Sequence, residues 1–174
     1  MELYGLDAFQ CYYMNTSGVM PMLLPNLGRV GSKEARWMPK YNDQLLALVL
    51  LHDTMLWVCW CDTNYILKHY KILDDFGLKD ENIQFLSYRK QKAVVSPEKD
   101  VFISVYKLNN KAMAVVVNKQ NTERTVNVNI DWTKLGIKPG AALKDMRTGK
   151  ALPKGNSVTV KIPGYNFALI QIGE

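Results

Sequence analysis

The chain has 174 residues, of which 48% are apolar and 22% charged. That mixture suits one ordinary globular domain or two small ones and excludes a disordered segment. The formal charge of +6 is uneven: residues 1–82 hold 7 basic and 10 acidic side chains, a net of −3, and residues 83–174 hold 15 and 6, a net of +9. Two segments of different character therefore meet near residue 80. Residues 1–10 have neither a basic n-region nor an apolar h-region, so no secretory leader is expected in them. The apolar runs 45–51 and 55–61 are each well short of the roughly 18 residues a membrane span needs, so no membrane partner is expected.

In chain order, residues 19–24 (VMPMLL) are apolar on both faces, as in a buried parallel strand, with Pro21 tolerable at a first position or bulge. A polar loop, 28–42, follows. Asn42 or Asp43 then caps a Leu- and Ala-rich helix over 43–51. Residues 55–61 (MLWVCWC) read as a second buried strand, ended by Asp62, Thr63 and Asn64. In the next segment Ile66, Leu67, Tyr70, Leu73 and Phe76 recur at helical spacing over 65–76, and Gly77 supplies the stop. Cys11, Cys59 and Cys61 form no CxxC, so three free thiols are expected, with no disulfide and no zinc site.

Beyond residue 80 the period shortens. Strands are predicted over 83–88, 101–108, 112–118, 125–131, 142–146, 157–162 and 167–172. Turn signals separate them, among them Asn109-Asn110, a pair sized for a tight hairpin. Alternation is clean at Val126, Val128 and Ile130 against Thr125, Asn127 and Asn129. Seven such strands predict an antiparallel β-sandwich.

Two parallel strands cannot cover both of their own faces. Residues 1–80 therefore read as the end of a larger α/β domain. The expected fold is α+β: a partial (β/α) barrel end of two βα units over 1–80, then an antiparallel Greek-key β-sandwich over 81–174.

Specific residues carry a family resemblance. Asp145-Met146-Arg147-Thr148-Gly149-Lys150, the strand 157–162 and the closing run from Pro163-Gly164 to Leu169-Ile170 resemble the terminal β domains of TIM-barrel glycoside hydrolases. The α-amylase and α-galactosidase groups share this layout. The run 112–118 (AMAVVVN), ending in Asn118, is similar to another strand of those domains, and His52-Asp53 before the second strand also fits. The resemblance implies that 19–24 and 55–61 are barrel strands 7 and 8. It implies hydrolysis of a glycosidic bond in a glycan by the intact enzyme, with no metal and no organic cofactor. The partners implied are the glycan and the remainder of the barrel. The catalytic carboxylates of such enzymes lie on earlier strands, so no catalytic residue is expected in this chain. The chain would contribute part of the cleft rim and a stabilising sandwich, and would be inactive alone. A non-catalytic carbohydrate-binding or interdomain module is the alternative.

On that mapping the substrate-contact candidates are Asn26, Trp37, Asp62 and Asn64, at or beyond the C-terminal strand ends. Asp62 can bind a sugar hydroxyl or cap the following helix, and the cap is the commoner arrangement. Trp37 lies in the polar loop, where an aromatic ring can stack on a sugar. Trp57 and Trp60 differ by three, point to opposite faces and read as core; Trp132 reads as a lid on the sandwich. His52 and Asp53 lack a Ser or Cys nucleophile motif and read as a helix end, where His is favourable with the dipole. The lysines of the second half are dispersed, with no stacking aromatic motif, so no nucleic-acid partner is expected.

Overall fold

Helices and parallel strands come first along the chain, and antiparallel strands follow. The computed structural model describes residues 5–13, 22–27 and 33–174. The first segment runs α1 (Leu6–Tyr13), β1 (Met22–Leu23), a 3₁₀ turn (Lys33–Trp37), α2 (Pro39–His52), β2 (Met55–Leu56) and α3 (Thr63–Phe76). The second runs β3 (Gln84–Leu86), β4 (Val94–Val95), β5 (Val101–Leu108), β6 (Lys111–Asn118), β7 (Arg124–Ile130), α4 (Trp132–Leu135), β8 (Leu143–Asp145), β9 (Ala151–Leu152), β10 (Ser157–Ile162) and β11 (Asn166–Ile172). The fold is mixed α/β with mostly antiparallel sheets. Residues 19–21 of the first predicted strand and 28–32 of the predicted loop lie outside the described residues, as does the side chain of Cys11.

Three sheets form. β1 and β2 pair in parallel, with Met22 opposite Met55 and Leu23 opposite Leu56. A six-stranded sheet has the order β3-β5-β6-β11-β8-β9, and a three-stranded sheet the order β10-β7-β4. The β5–β6 hairpin turns at Asn109-Asn110, between the paired Leu108 and Lys111, with Asn109 at φ 53°.

Two apolar cores share the six-stranded sheet. On one face Ile103, Val105, Ala112, Ala114, Val116, Ile170 and Ile172 meet Val94, Val126, Val128, Ile130, Val158 and Ile162 of the smaller sheet. On the other face Tyr106, Leu108, Met113, Val115, Val117, Phe167 and Leu169 meet the helices. Strand β6 is therefore covered on both sides, which explains its unbroken apolar run. Strand β7 is covered on one side only and alternates. Trp132 closes the inter-sheet core, its indole Nε1 donating to Asn156 Oδ1 at 2.8 Å. Asn118 is wholly buried at the end of β6. Its Nδ2 donates to the carbonyls of Thr122, Ile162 and Pro163 and its Oδ1 accepts from the Gln120 amide, which ties β6 to the end of β10. Gly164 is required just beyond, since a Cβ there would collide with the Asn121 backbone.

Helix α2 is buried along most of its length and packs on β5, β6 and β11. It starts at Pro39, not at residue 43. Proline suits the first helical position because that N–H has no intrahelical partner. Neither Asn42 nor Asp43 is therefore its cap. Its buried C-terminal carbonyls need partners from outside the helix. Tyr106 Oη donates to Leu50 O at 2.9 Å and Ser104 Oγ to Leu51 O at 2.7 Å. The Asp53 and Thr54 amides both reach Val49 O. His52 Nδ1 lies 2.8 Å from Leu48 O.

Helix α3 begins at Thr63, capped by Asp62, and ends at Gly77, which sits at φ 97°. Strand β2 stops after Leu56, short of the predicted 61. The Cys59 amide folds back onto Trp57 O at 2.8 Å, and Trp60 takes a left-handed φ of 50°. Cys59 and Cys61 thus do not share a strand; both are free thiols, one half-buried and one buried. No described helix is long and apolar enough to cross a membrane.

Candidate functional site

Because β1 and β2 are parallel and in register, their C-terminal ends emerge on the same side. The Trp57 amide extends the pairing by donating to Leu23 O at 3.0 Å. Asn26 follows β1, and the 57–62 loop follows β2. The 3₁₀ turn carries Trp37, with the Arg36 guanidinium 4.2 Å above its ring.

Asn42 joins these parts. It is wholly buried in the first turns of α2. Its Nδ2 donates to Arg36 O at 2.8 Å and Met38 O at 3.0 Å, which bracket Trp37. Its Oδ1 accepts from the Asp62 amide at 2.9 Å. Trp37 and Asp62 are thereby brought into one assembly. Trp37 is 57% exposed. Asp62 is half-buried, and its Oδ1 accepts from the Tyr65 amide at 3.0 Å as the α3 cap. Asn26 is half-buried and Asn64 exposed on the first turn of α3. Among the described residues no hydrogen bond joins either of them to Trp37 or Asp62.

Beside this assembly lies a charged network. Asp43 Oδ1 accepts from Arg147 Nη2 at 2.7 Å and from Tyr65 Oη at 2.8 Å. Its Oδ2 accepts from Asn166 Nδ2 at 2.8 Å. Arg147 Nη1 also donates to Asn166 Oδ1 and Phe167 O, and the guanidinium lies 4.6 Å from the Phe167 ring centre. The Arg147 and Asp43 side chains are only 22% and 8% exposed. The Asp145–Lys150 turn aims Arg147 inward. Asp145 accepts from the Arg147 and Thr148 amides and from the Thr148 hydroxyl, and Gly149 takes the left-handed conformation at φ 74°. Burial, then the bond to Asp43 and its negative charge, push the Tyr65 hydroxyl up to about 12, opposed by Arg147. Burial likewise lowers His69, whose Nδ1 bonds Tyr65 O.

Three expectations change. Trp57 and Trp60 are not core: they are 59% and 51% exposed. Trp57 shares a face with Met22, Leu24 and Met55, which are 42–52% exposed, while Leu23 and Leu56 on the opposite face pack into the helical core. For His52, burial outweighs the helix dipole. The ring is buried between Phe9, at 4.8 Å, and Tyr88, at 5.5 Å, and desolvation lowers its pKa. Asn42 and Asp43 act as joint and anchor, not as caps. All that the sequence shows of them is that they, with Gln44, are polar residues leading into a Leu-rich run; once buried, such groups must find partners. Among the described residues no three His, Cys, Asp or Glu side chains converge to hold a metal. An open groove of about 450 Å³ beside β3, lined by Glu81, Asn82, Ile83, Gln84, Lys107 and Asn109, shares no residue with the Asn42 assembly.

The family model described as "Glycoside hydrolase 123, C-terminal domain" matches residues 67–162, more than half of the chain. No curated protein sequence matches. Among solved structures, the chain is similar to a putative α-galactosidase from Bacteroides fragilis, at TM-score 0.57 and 13% identity over 87% of this chain and 32% of that one. It is also similar to a putative α-N-acetylgalactosaminidase from Bacillus halodurans, at 0.54 and 12% over 76% and 31%. A maltogenic α-amylase from Thermotoga neapolitana matches at 0.53 and 11% over 95% and 44%. The chain thus spans less than half the length of these structures, and at such identities the likeness is one of fold. The match to the family model shows that the chain belongs to the glycoside hydrolase 123 C-terminal domain family.

Proposed function

We propose that this chain is the closing part of a (β/α)-barrel glycoside hydrolase, with β1 and β2 as barrel strands 7 and 8 and residues 81–174 as a Greek-key β-sandwich braced against the barrel's side. The observation that carries the reading is the open face of the β1–β2 pair. Met22, Leu24, Met55 and Trp57 are exposed together on a sheet whose other face is buried. A contiguous apolar face of that kind marks a surface built to be covered. A barrel interior would cover it. Leu67, exposed on α3, is likewise suited to a neighbouring barrel helix. The crossing of the chain from β6 to β7 in the other sheet, and back from β10 to β11, supports the Greek-key reading.

In this role the rim bearing Trp37, Asp62, Asn26 and Asn64 borders a glycan cleft, and the acid and nucleophile come from strands outside this chain. The alternative of a carbohydrate-binding β module finds less support. Tyr106, Trp132 and Phe167 are buried and Tyr88 and Tyr165 half-buried, which leaves no exposed aromatic row for a sugar. Two measurements test the proposal. The chain alone is expected to show no turnover of aryl glycosides, and the reading frame upstream of Met1 is expected to encode the earlier βα units. Robust hydrolysis by the isolated chain, lost in Asp62→Asn, would overturn it.

A further inference from the structure

We infer that Asn42 is a positioning residue. Its amide sets the loop after β1 against the loop after β2, and the Asp43–Arg147 contact beside it fixes that joint from the β-sheet side. The inference rests on the reading that these loops border the glycan cleft, and it adds a means by which the β layer governs their placement.

The argument is geometric. Asn42 uses both ends of its amide on backbone groups of two different loops: Arg36 O and Met38 O on one side, the Asp62 N–H on the other. Arg36 and Met38 flank Trp37, so their carbonyls fix the path of the backbone that carries that ring. The Asp62 amide fixes the residue that caps α3, so the same side chain sets where that helix starts. Residues 42 and 62 are twenty apart in sequence, and the amide spans them with no exposed atom. The next residue, Asp43, is held by Arg147 from the β8–β9 turn and by Asn166 from β11, 104 and 123 residues away. An α-helix is stiff over one residue. A shift of Asp43 toward or away from the sheet therefore moves Asn42 with it, and both rim loops follow. Tyr65, the second donor to Asp43 Oδ1, sits three residues after Asp62 and closes the same circuit through α3.

Amide hydrogen exchange and indole NMR resonances on the full chain test this without any glycan. Asn42→Leu keeps the number and branching of the side-chain heavy atoms and removes all three bonds. Protection of the Asp62 amide is expected to fall at least tenfold more than that of β6 and β11 amides, and the Trp37 indole resonance to shift. Asn42→Asp retains the acceptor and loses the donors. It is expected to keep Asp62 protection near the parent level while Trp37 still shifts. Arg147→Met, a change at a partly exposed side chain, is expected to lower Asp62 protection at least threefold beyond any global change. Equal loss at Asp62 and in β6, or no split between the two Asn42 variants, would overturn the joint. No excess loss in Arg147→Met would overturn its control from the sheet. If all three effects appear while the upstream frame encodes no barrel, the joint stands and the cleft reading falls.

Discussion

At the scale of single residues, desolvation decides the chemistry more often than local sequence does. His52 sits in the last turn of α2, where the helix dipole favours an imidazolium by about 0.3–1 kcal/mol in exposed settings. Burial between two aromatic rings opposes this and wins, so the pKa lies below 6.5. His69 is lowered for the same reason. These are the chain's two histidines. A folded-state pKa below the unfolded value means that the unfolded chain binds the proton more tightly. Stability from these groups is full above pH 6.5 and is lost as pH falls from there through the folded values, at up to about 1.4 kcal/mol per pH unit for each group. Urea unfolding between pH 7.5 and 5.5 is expected to show this decline, and His52→Phe, which fits the aromatic box, is expected to make it shallower. An unchanged slope would mean that His52 is solvated when folded. His52 was legible as a helix-end residue. Its burial was not, because Phe9 and Tyr88 reach it from 43 and 36 positions away.

At the scale of elements, α2 is the strut of the molecule, held at each end by polar groups of the sheet. Asp43 meets Arg147 and Asn166 at its start, and Leu50 and Leu51 carbonyls meet Tyr106 and Ser104 at its end. A buried carbonyl deprived of its donor costs about 1–3 kcal/mol. Tyr106→Phe keeps the ring in its contact with Phe85 at 5.0 Å and removes only the hydroxyl. Chemical denaturation is expected to show a loss in that range. A change below about 0.5 kcal/mol would mean that water replaces the donor. The long elements were readable because each extends over enough residues to display a period: α3 at helical spacing, β7 and β10 in alternation. Elements β4, β9 and α4, of two to four residues, were not predicted because they are too short to show any period, and α1 has barely two turns; β1, β2, β3 and β8 are as short and were found only as parts of longer runs. Strand β2 was overextended for a related reason. An apolar run gives no sign of where pairing stops, and here it stops at a left-handed Trp60. Of the candidate site, Asp62 was readable as the α3 cap. Asn42 and Arg147 were not, because their roles are pairings across 20 and 104 residues, which no periodicity encodes.

At the scale of the whole molecule, the two halves differ in how completely they are enclosed. Of the nine large apolar residues left exposed among the described residues, all but Val95 lie between residues 22 and 67. The antiparallel sheets close on each other and on the helices, whereas the parallel pair closes on the helices alone. Adjacent residues at the end of β2, Leu56 within it and Trp57 just beyond, therefore belong to different environments, and their mutational costs should separate. Leu56 packs into the helical core, so Leu56→Ala is expected to cost about 2–5 kcal/mol as transfer and cavity terms add. Trp57 is larger but faces outward, so Trp57→Ala is expected to change stability by no more than about 0.5 kcal/mol in this chain. The order of the two costs thus inverts what side-chain size alone would give. In a polypeptide that also supplies the remaining barrel staves, Trp57 would be covered, and its truncation should then cost about 3–5 kcal/mol. Thermal or denaturant unfolding of Trp57→Ala in the two settings reads this directly. An equal, small effect in both would mean that the open face of β1 and β2 stays in contact with water in the larger protein as well, and that it does not form a barrel interior.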